Sequence, residues 1–192
     1  MTIRPLPDLH AECDVAALVY GPGDDPDALL ARFLDKRIGE GHDALGVVQD
    51  HRPRRLEPRR PPAFRLLPKF EWDAPTITTS DLSDGCRGAL ADVGRSLTTA
   101  VARRPDVVVL NRFGRAEATG SGLLGVVAVA IEAEVPVLIA VPQGLFRTWL
   151  GMTGGLAVMI PPSLAGLERW WTSLGHGPAP AQHSISLCAR AK

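Results

Sequence analysis

Three short, unbroken apolar runs constrain this chain more than any other feature: Val15-Ala-Ala-Leu-Val-Tyr20, Val107-Val-Val-Leu110 and Val137-Leu-Ile-Ala-Val141. None alternates polar with apolar residues, so none suits a strand with one wet face. Each reads as a strand buried on both sides, as in a parallel sheet covered by helices. The intervening segments supply the helices. Leu29, Leu30, Phe33 and Leu34 recur at helical spacing from Asp27 to about Gly39, with Asp25 placed to cap the first turn and Pro26 at its first position. Leu90, Val93, Leu97 and Val101 mark a second helix, from Arg87 to about Arg103. Further helices are expected over Ser121 to about Ala133, Gln143 to Leu150, and Leu164 to Leu174, the last carrying Trp170 and Trp171. Ala44 to Gln49 and Thr76 to Ser80 read as additional strands. The order is β-α-β, an insertion, then β-α-β-α-β-α. It predicts a three-layer α/β/α domain with a mainly parallel sheet, and a right-handed first crossover.

The length of 192 residues suits one domain. Residues 1–13 read as an N-terminal extension, 14–175 as the domain and 176–192 as a loose tail. Within the domain, residues 51–74 form an insertion. His51 to Pro62 is dense in proline and arginine, which excludes a helix or a central strand. Arg52, Arg54, Arg55, Arg59 and Arg60 could contact nucleic acid, but no aromatic residue is interleaved and the net charge is zero. A solvated insertion is the better account, with Phe64 to Trp72 as a short hairpin. The three cysteines, Cys13, Cys86 and Cys188, lie far apart, with no paired spacing for a disulfide framework or a zinc site. The first residues lack the apolar core of a signal peptide, and no run reaches the roughly 18 apolar residues of a membrane helix. A cytoplasmic location is expected, without nucleic acid or membrane insertion.

The chemistry gathers where strands end. In open α/β sheets, ligands bind beyond the carboxyl ends of the strands. After Val107 to Leu110 come Asn111 and Arg112, then Gly114, Arg115 and Glu117, then Thr119-Gly-Ser-Gly122. Gly120 and Gly122 allow close backbone approach, and a Gly-rich turn at a helix start can offer N–H groups to an anion. Capping of that helix by Thr119 or Ser121 is the structural alternative. A second constellation, Ser80, Asp81, Ser83, Asp84, Cys86 and Arg87, combines hydroxyl donors and a guanidinium with opposing acids. Cys86 beside Arg87 could form a thiolate, but a nucleophile would want a histidine base that the sequence does not place there. The first turn, Gly21-Pro-Gly-Asp-Asp-Pro-Asp27, stands where a phosphate-binding loop would carry Gly-Lys-Ser/Thr. It holds Asp24, Asp25 and Asp27 instead, which repel phosphate unless a metal intervenes; acids capping a helix are the plainer reading. Only Lys36, Lys69 and Lys192 are lysines, so any anion site must use arginine, hydroxyls or backbone amides.

Taken together, Ala16-Ala-Leu-Val-Tyr-Gly21 with Asp24 and Asp25, Asp84-Gly-Cys-Arg87, Asn111-Arg-Phe-Gly-Arg-Ala-Glu117 with Gly120 and Gly122, Pro136 to Val141, and Trp170-Trp171 resemble a bacterial family. It is a domain family of unknown function, described as nucleoside-triphosphatase-like or molybdenum-transport-associated. More distantly, the chain is similar to thermophile-type nucleoside triphosphatases of the P-loop class, whose strand-end motif reads Asp-Glu-x-Gly-x-x-Glu. Here Asn111 and Arg112 replace the Asp and Glu, while Gly114 and Glu117 remain. The resemblance implies a degenerate P-loop NTPase-like fold with no catalytic residues, cofactor or resident metal. It further implies a binding protein for a tetrahedral oxyanion, molybdate or tungstate, in molybdenum uptake or homeostasis. Ser80, Ser83, Cys86, Arg87, Asn111, Arg112, Gly120, Ser121 and Gly122 are the expected ligand-binding residues. One alternative is a divergent nucleoside triphosphatase or phosphotransferase with a metal on Asp24, Asp25 and Glu117. A second is an adaptor that uses Trp149, Trp170 and Trp171 as its interface, with a homo-oligomer among its outcomes.

Overall fold

The structure is a computed structural model and describes residues 14–50, 63–67 and 85–175. The expected strand at Thr76 to Ser80 and the turn carrying Ser80 and Ser83 lie outside the described residues. Among the described residues six strands form one sheet: β1 (Val15–Tyr20), β2 (Ala44–Asp50), β3 (Ala63–Leu67), β4 (Val107–Leu110), β5 (Val137–Pro142) and β6 (Val158–Ile160). Six α-helices accompany them among the described residues, α1 (Pro26–Gly39), α2 (Gly85–Val101), α3 (Arg115–Ala118), α4 (Leu124–Glu132), α5 (Phe146–Met152) and α6 (Leu164–Ser173), with a 3-10 turn at Gln143–Leu145 leading into α5. The strand order is β3-β2-β4-β5-β1-β6. Five strands are parallel, and only β3 runs antiparallel, against β2. The α/β architecture with a mainly parallel sheet is therefore as the apolar runs predict. The first crossover reaches farther than a simple β-α-β unit, because β5 and β4 lie between β1 and β2.

The absence of polar alternation in the strands has a direct structural counterpart. Along β1, Val15 and Ala17 face one core while Ala16 and Leu18 face the other. Along β4, Val108 and Leu110 take the first side and Val107 and Val109 the second. The first core is closed by Val93, Leu97 and Val101 of α2, by Val126, Val127 and Ala130 of α4, and by Trp149 of α5. The second is closed by Leu30, Phe33 and Leu34 of α1 and by Leu167, Trp170 and Trp171 of α6. Each such Leu, Val or Phe side chain removed from water contributes about 1.5–3 kcal/mol. Helix α1 packs close enough to the sheet that Gly46 of β2 must lack a side chain. A Cβ there would lie 2.5 Å from Leu34 Cδ2 and 3.0 Å from the Val109 carbonyl oxygen.

Trp149, Trp170 and Trp171 belong to these cores and not to an interface. Trp149 is fully buried against Phe113 at 5.2 Å between ring centroids. Trp170 and Trp171 flank Phe33 at 6.2 and 5.9 Å. The expectation that Trp149, Trp170 and Trp171 form an adaptor surface is therefore corrected, since large aromatic side chains stabilise most when fully buried. Three elements depart from the sequence reading. In place of the hairpin expected over Phe64 to Trp72, Ala63–Leu67 joins the main sheet antiparallel to β2, and residues 68–72 lie outside the described residues. The helix expected from Ser121 begins at Leu124, preceded by the separate turn of helix α3. Strand β6 was not foreseen, because three residues between Gly155 and Pro161 are too short to show a period.

Candidate functional site at the carboxyl edge of the sheet

Parallel strands β1, β5 and β4 are neighbours and deliver their carboxyl ends to one edge. The register pairs Tyr20 with Pro142 and Leu110 with Ile139. Beyond these positions lie the Gly21 turn, Gln143 and the Asn111-Arg112 pair. An added Cβ on Gly21 would be 3.6 Å from Gln143 Oε1, which sets the spacing between the β1 and β5 tips.

Arg112 is the centre of this edge. Its Nη2 donates to Asp27 Oδ2 at 3.0 Å and Oδ1 at 3.3 Å. Its guanidinium carbon stands 5.9 Å from the centroid of the Tyr20 ring. Asp27 is almost buried in the first turn of α1, whereas the Arg112 side chain keeps 43% of its exposure. Only Nη2 is engaged, so Nε–H and the Nη1 hydrogens have no acceptor among the described residues. Burial pushes the Tyr20 phenol above its usual range; nearby Arg112 opposes that and Asp27 adds to it. Tyr20 is thus a neutral ring against which the guanidinium is steered. Asn111, next in the chain, is 4% exposed, and its Oδ1 has no hydrogen-bond partner.

The first turn caps two of its own amides with its carboxylates. Asp24 Oδ2 accepts from Gly21 N at 2.8 Å, and Asp25 Oδ1 accepts from Ala28 N at 3.0 Å. Leu29 N donates to the Asp25 carbonyl, and residues 22 and 26 are prolines without an N–H. The plainer reading of these acids, as caps of α1, is what the geometry shows. The carboxylates occupy amides that a phosphate would need.

The Gly-rich turn after β4 is closed in a similar way, which corrects its reading as an open anion cradle. Glu117 is 6% exposed and accepts from Gly114 N at 2.9 Å and Leu123 N at 3.1 Å. Ser121 donates its hydroxyl to the Ala116 carbonyl and its N–H to the same oxygen. Thr119 turns its hydroxyl onto the Arg115 and Ala116 carbonyls, so neither residue caps α4. Gly120 and Gly122 do sit at positive φ, +82° and +66°. At Gly122 the reason is steric: a Cβ would fall on Glu117 Oε1 and lie 2.9 Å from its Cδ. Glycine makes room for an internal carboxylate here, not for a ligand.

Of the expected ligand-binding residues, then, Asn111 and Arg112 stand at the sheet edge. Gly120 and Ser121 donate their N–H groups to carbonyls of the same loop, and Gly122 makes room for Glu117. Cys86 and Arg87 lie in the first turn of α2, with side chains outside the described residues, as are Ser80 and Ser83. Sequence reasoning missed the partnership of Arg112 with Tyr20. Its only signal was an aromatic residue with a polar tip at the end of an otherwise aliphatic strand. Among the described residues no group of three or more His, Cys, Asp or Glu is placed to hold a metal ion.

The fold and this edge define an α/β domain whose strand tips gather polar residues, Asn111 and Arg112, beside Asp27 of α1. The family described as "Protein of unknown function (DUF2478)" matches residues 15–170, and the chain belongs to it. Its sequence is also similar to the molybdenum import ATP-binding protein ModC 2 of Bradyrhizobium diazoefficiens, 32% identical over 176 residues. That match covers 86% of this chain and 19% of the relative, so the chain spans about a fifth of the relative's length. The similarity is consistent with a P-loop NTPase-like fold. No solved structure matches the chain. No helix among the described residues is long and apolar enough to cross a membrane.

Proposed function

We propose that this chain binds a tetrahedral oxyanion, molybdate or tungstate, at the carboxyl edge of its sheet, and serves molybdenum uptake or homeostasis without hydrolysing nucleotide. The observation that carries the reading is Arg112: a guanidinium anchored through one nitrogen to Asp27 and held over Tyr20, with its remaining donors open. An anchored guanidinium loses little rotamer entropy when it binds, and its planar donors suit two oxygens of a tetrahedral anion. Pairing with Asp27 offsets its charge, so recognition rests on directed hydrogen bonds more than on net attraction. The similarity to a molybdenum import protein supplies the choice of anion. The self-capped first turn, which lacks the phosphate-binding lysine, supports a degenerate Walker motif and argues against nucleotide turnover.

The test is thermal unfolding with molybdate, tungstate, sulfate, phosphate, and ATP or GTP with magnesium. A ligand at a hundred times its Kd stabilises the fold by about 2.7 kcal/mol, a shift of several degrees. Molybdate or tungstate should produce that shift, and Arg112→Ala combined with Arg87→Ala should abolish it. An unchanged anion response in the double variant refutes the assignment. Stabilisation by nucleotide alone, with magnesium-dependent phosphate release, establishes the hydrolase instead.

A further inference from the structure

Resting on the oxyanion binding proposed for this edge, we infer that Tyr20 and Gln143 are neutral donors that complete the site beside Arg112. They set its selectivity for large, weakly hydrated tetrahedral oxyanions over compact ones such as sulfate. Neither is among the ligand-binding residues expected from the sequence. The strand order brings them together. Strand β5 lies between β4 and β1, so Arg112, which leaves the β4 tip and bonds to Asp27 beyond the β1 tip, reaches across the end of β5. Tyr20 ends β1 in register with Pro142 of β5, and Gln143 follows directly. The Arg112 guanidinium carbon stands 5.9 Å from the Tyr20 ring centroid. Gln143 is exposed, and its Oε1 would lie 3.6 Å from a Cβ on Gly21, so its carboxamide lies against the residue next to Tyr20. Three adjacent strands thus each end in a hydrogen-bonding side chain. Neither Tyr20 Oη nor the Gln143 carboxamide has a hydrogen-bond partner among the described residues. Burial keeps the phenol protonated, so it retains a hydrogen to donate.

The charge balance decides what such donors hold. Asp27 already pairs with Arg112, and Asp24 and Asp25 follow in the turn after Tyr20. Net attraction for a dianion is therefore small, and directed hydrogen bonds must offset the loss of its hydration. That loss is greatest for a compact ion. Sulfate, molybdate and tungstate share a tetrahedral shape and the same double charge. The longer metal–oxygen bonds of molybdate and tungstate spread that charge over a larger surface, so these ions give up water at smaller cost. A phenol and a carboxamide beside one offset guanidinium supply hydrogen bonds without further positive charge. Such a set suffices for the larger ions and falls short for sulfate.

Calorimetric titration of the full chain with molybdate, tungstate and sulfate tests this, alongside Tyr20→Phe, Gln143→Leu and Arg112→Ala. Molybdate and tungstate should bind at least about tenfold tighter than sulfate. Tyr20→Phe and Gln143→Leu should each weaken molybdate binding roughly tenfold, the size of one hydrogen bond to a charged acceptor, and narrow the preference over sulfate. Tyr20→Phe keeps the ring beside Arg112, and Gln143 is exposed, so the melting temperature without ligand should hold in both. Tyr20 is the only tyrosine of the chain, so isotope labelling at the tyrosine Cζ gives a single magnetic resonance signal. Saturating molybdate should move that signal, which a ring with a merely structural role would not show. Molybdate binding that Arg112→Ala abolishes, but that Tyr20→Phe and Gln143→Leu leave unchanged, overturns the inference and keeps the oxyanion reading. Equal affinity for sulfate and molybdate also overturns it. Absence of binding by all three anions removes both.

Discussion

Glu117→Ala should destabilise the fold by about 3 kcal/mol, because this carboxylate is the acceptor for two backbone N–H groups that have no substitute. Gly114 N and Leu123 N donate to its two oxygens at 2.9 and 3.1 Å, and Leu123 is 5% exposed. A hydrogen bond to a charged group contributes about 1.5–3 kcal/mol, and an orphaned buried N–H costs about 1–3 kcal/mol. Water reaches the Gly114 side more easily, which holds the total near the middle of that range. At this chain length the loss corresponds to a fall in Tm of roughly 6–12 °C. Gly122→Ala adds the sharper constraint. Its φ of +66° alone costs a non-glycine residue about 1–2 kcal/mol, and its Cβ would also overlap Glu117 Oε1. In the Glu117→Ala background the overlap vanishes, leaving the backbone cost and a 3.3 Å contact with Ala116 Cβ. Urea unfolding of the four proteins in the cycle should therefore show a coupling of at least about 1 kcal/mol, with the double variant less destabilised than the sum. Additivity within about 0.5 kcal/mol would refute the claim that glycine stands at 122 to admit the carboxylate.

Two further outcomes follow from the charged groups. Arg37, 3% exposed, is bonded to Glu168 at 3.0 Å and sandwiched between Phe33 and Trp171 at 5.2 and 5.1 Å. Glu168→Gln should cost about 1–3 kcal/mol in urea unfolding, less than a fully buried pair because Glu168 keeps 35% of its exposure; a cost below about 0.3 kcal/mol would show that Glu40 and the rings suffice. Burial, then the nearby Glu134 charge, raises the Asp14 pKa above 3.8. A carboxyl raised in the folded state penalises folding above that raised value and is neutral below the unfolded value. Asp14→Asn should therefore raise Tm near pH 7, and the gain should fade as pH falls toward 3.8; an equal gain at both ends would refute the electrostatic cause.

The layer architecture was legible because burial on both faces leaves short, unbroken apolar runs, here alternating with segments of helical period. A strand such as Val107–Leu110 can spare no polar position when Val108 faces one core and Val109 the other. Helix α1 was equally readable, since its periodicity, Asp25 cap and Pro26 are local facts. Strand β6 was not, because three residues pair by virtue of where β1 lies and carry no period of their own. The tryptophans failed for a related reason. Trp170 and Trp171 sit on a helix whose inward face is fixed by Phe33 and Arg37, more than 130 positions earlier.

The site was half legible, and the missing half concerns satisfaction of hydrogen bonds. Sequence shows that Gly120-Ser-Gly122 has accessible amides and that the Asp24-Asp25 turn has acids. It does not show which acceptor reaches which donor. In this chain the acceptors are close by: Asp24 takes Gly21 N, Asp25 takes Ala28 N, and Glu117 takes Gly114 N and Leu123 N. Three carboxylates thus stand where an anion would otherwise compete for the same N–H groups. Each is covalently close to its donor, so it binds at high effective concentration and a free phosphate displaces it only at a cost. Of the groups placed at the edge, that leaves the guanidinium of Arg112, whose own carboxylate partner takes one nitrogen and leaves two. Turns whose carboxylates already hold four of these amides shift ligand recognition toward that side chain, and substitution at Arg112 is where the chemistry of this edge must show itself.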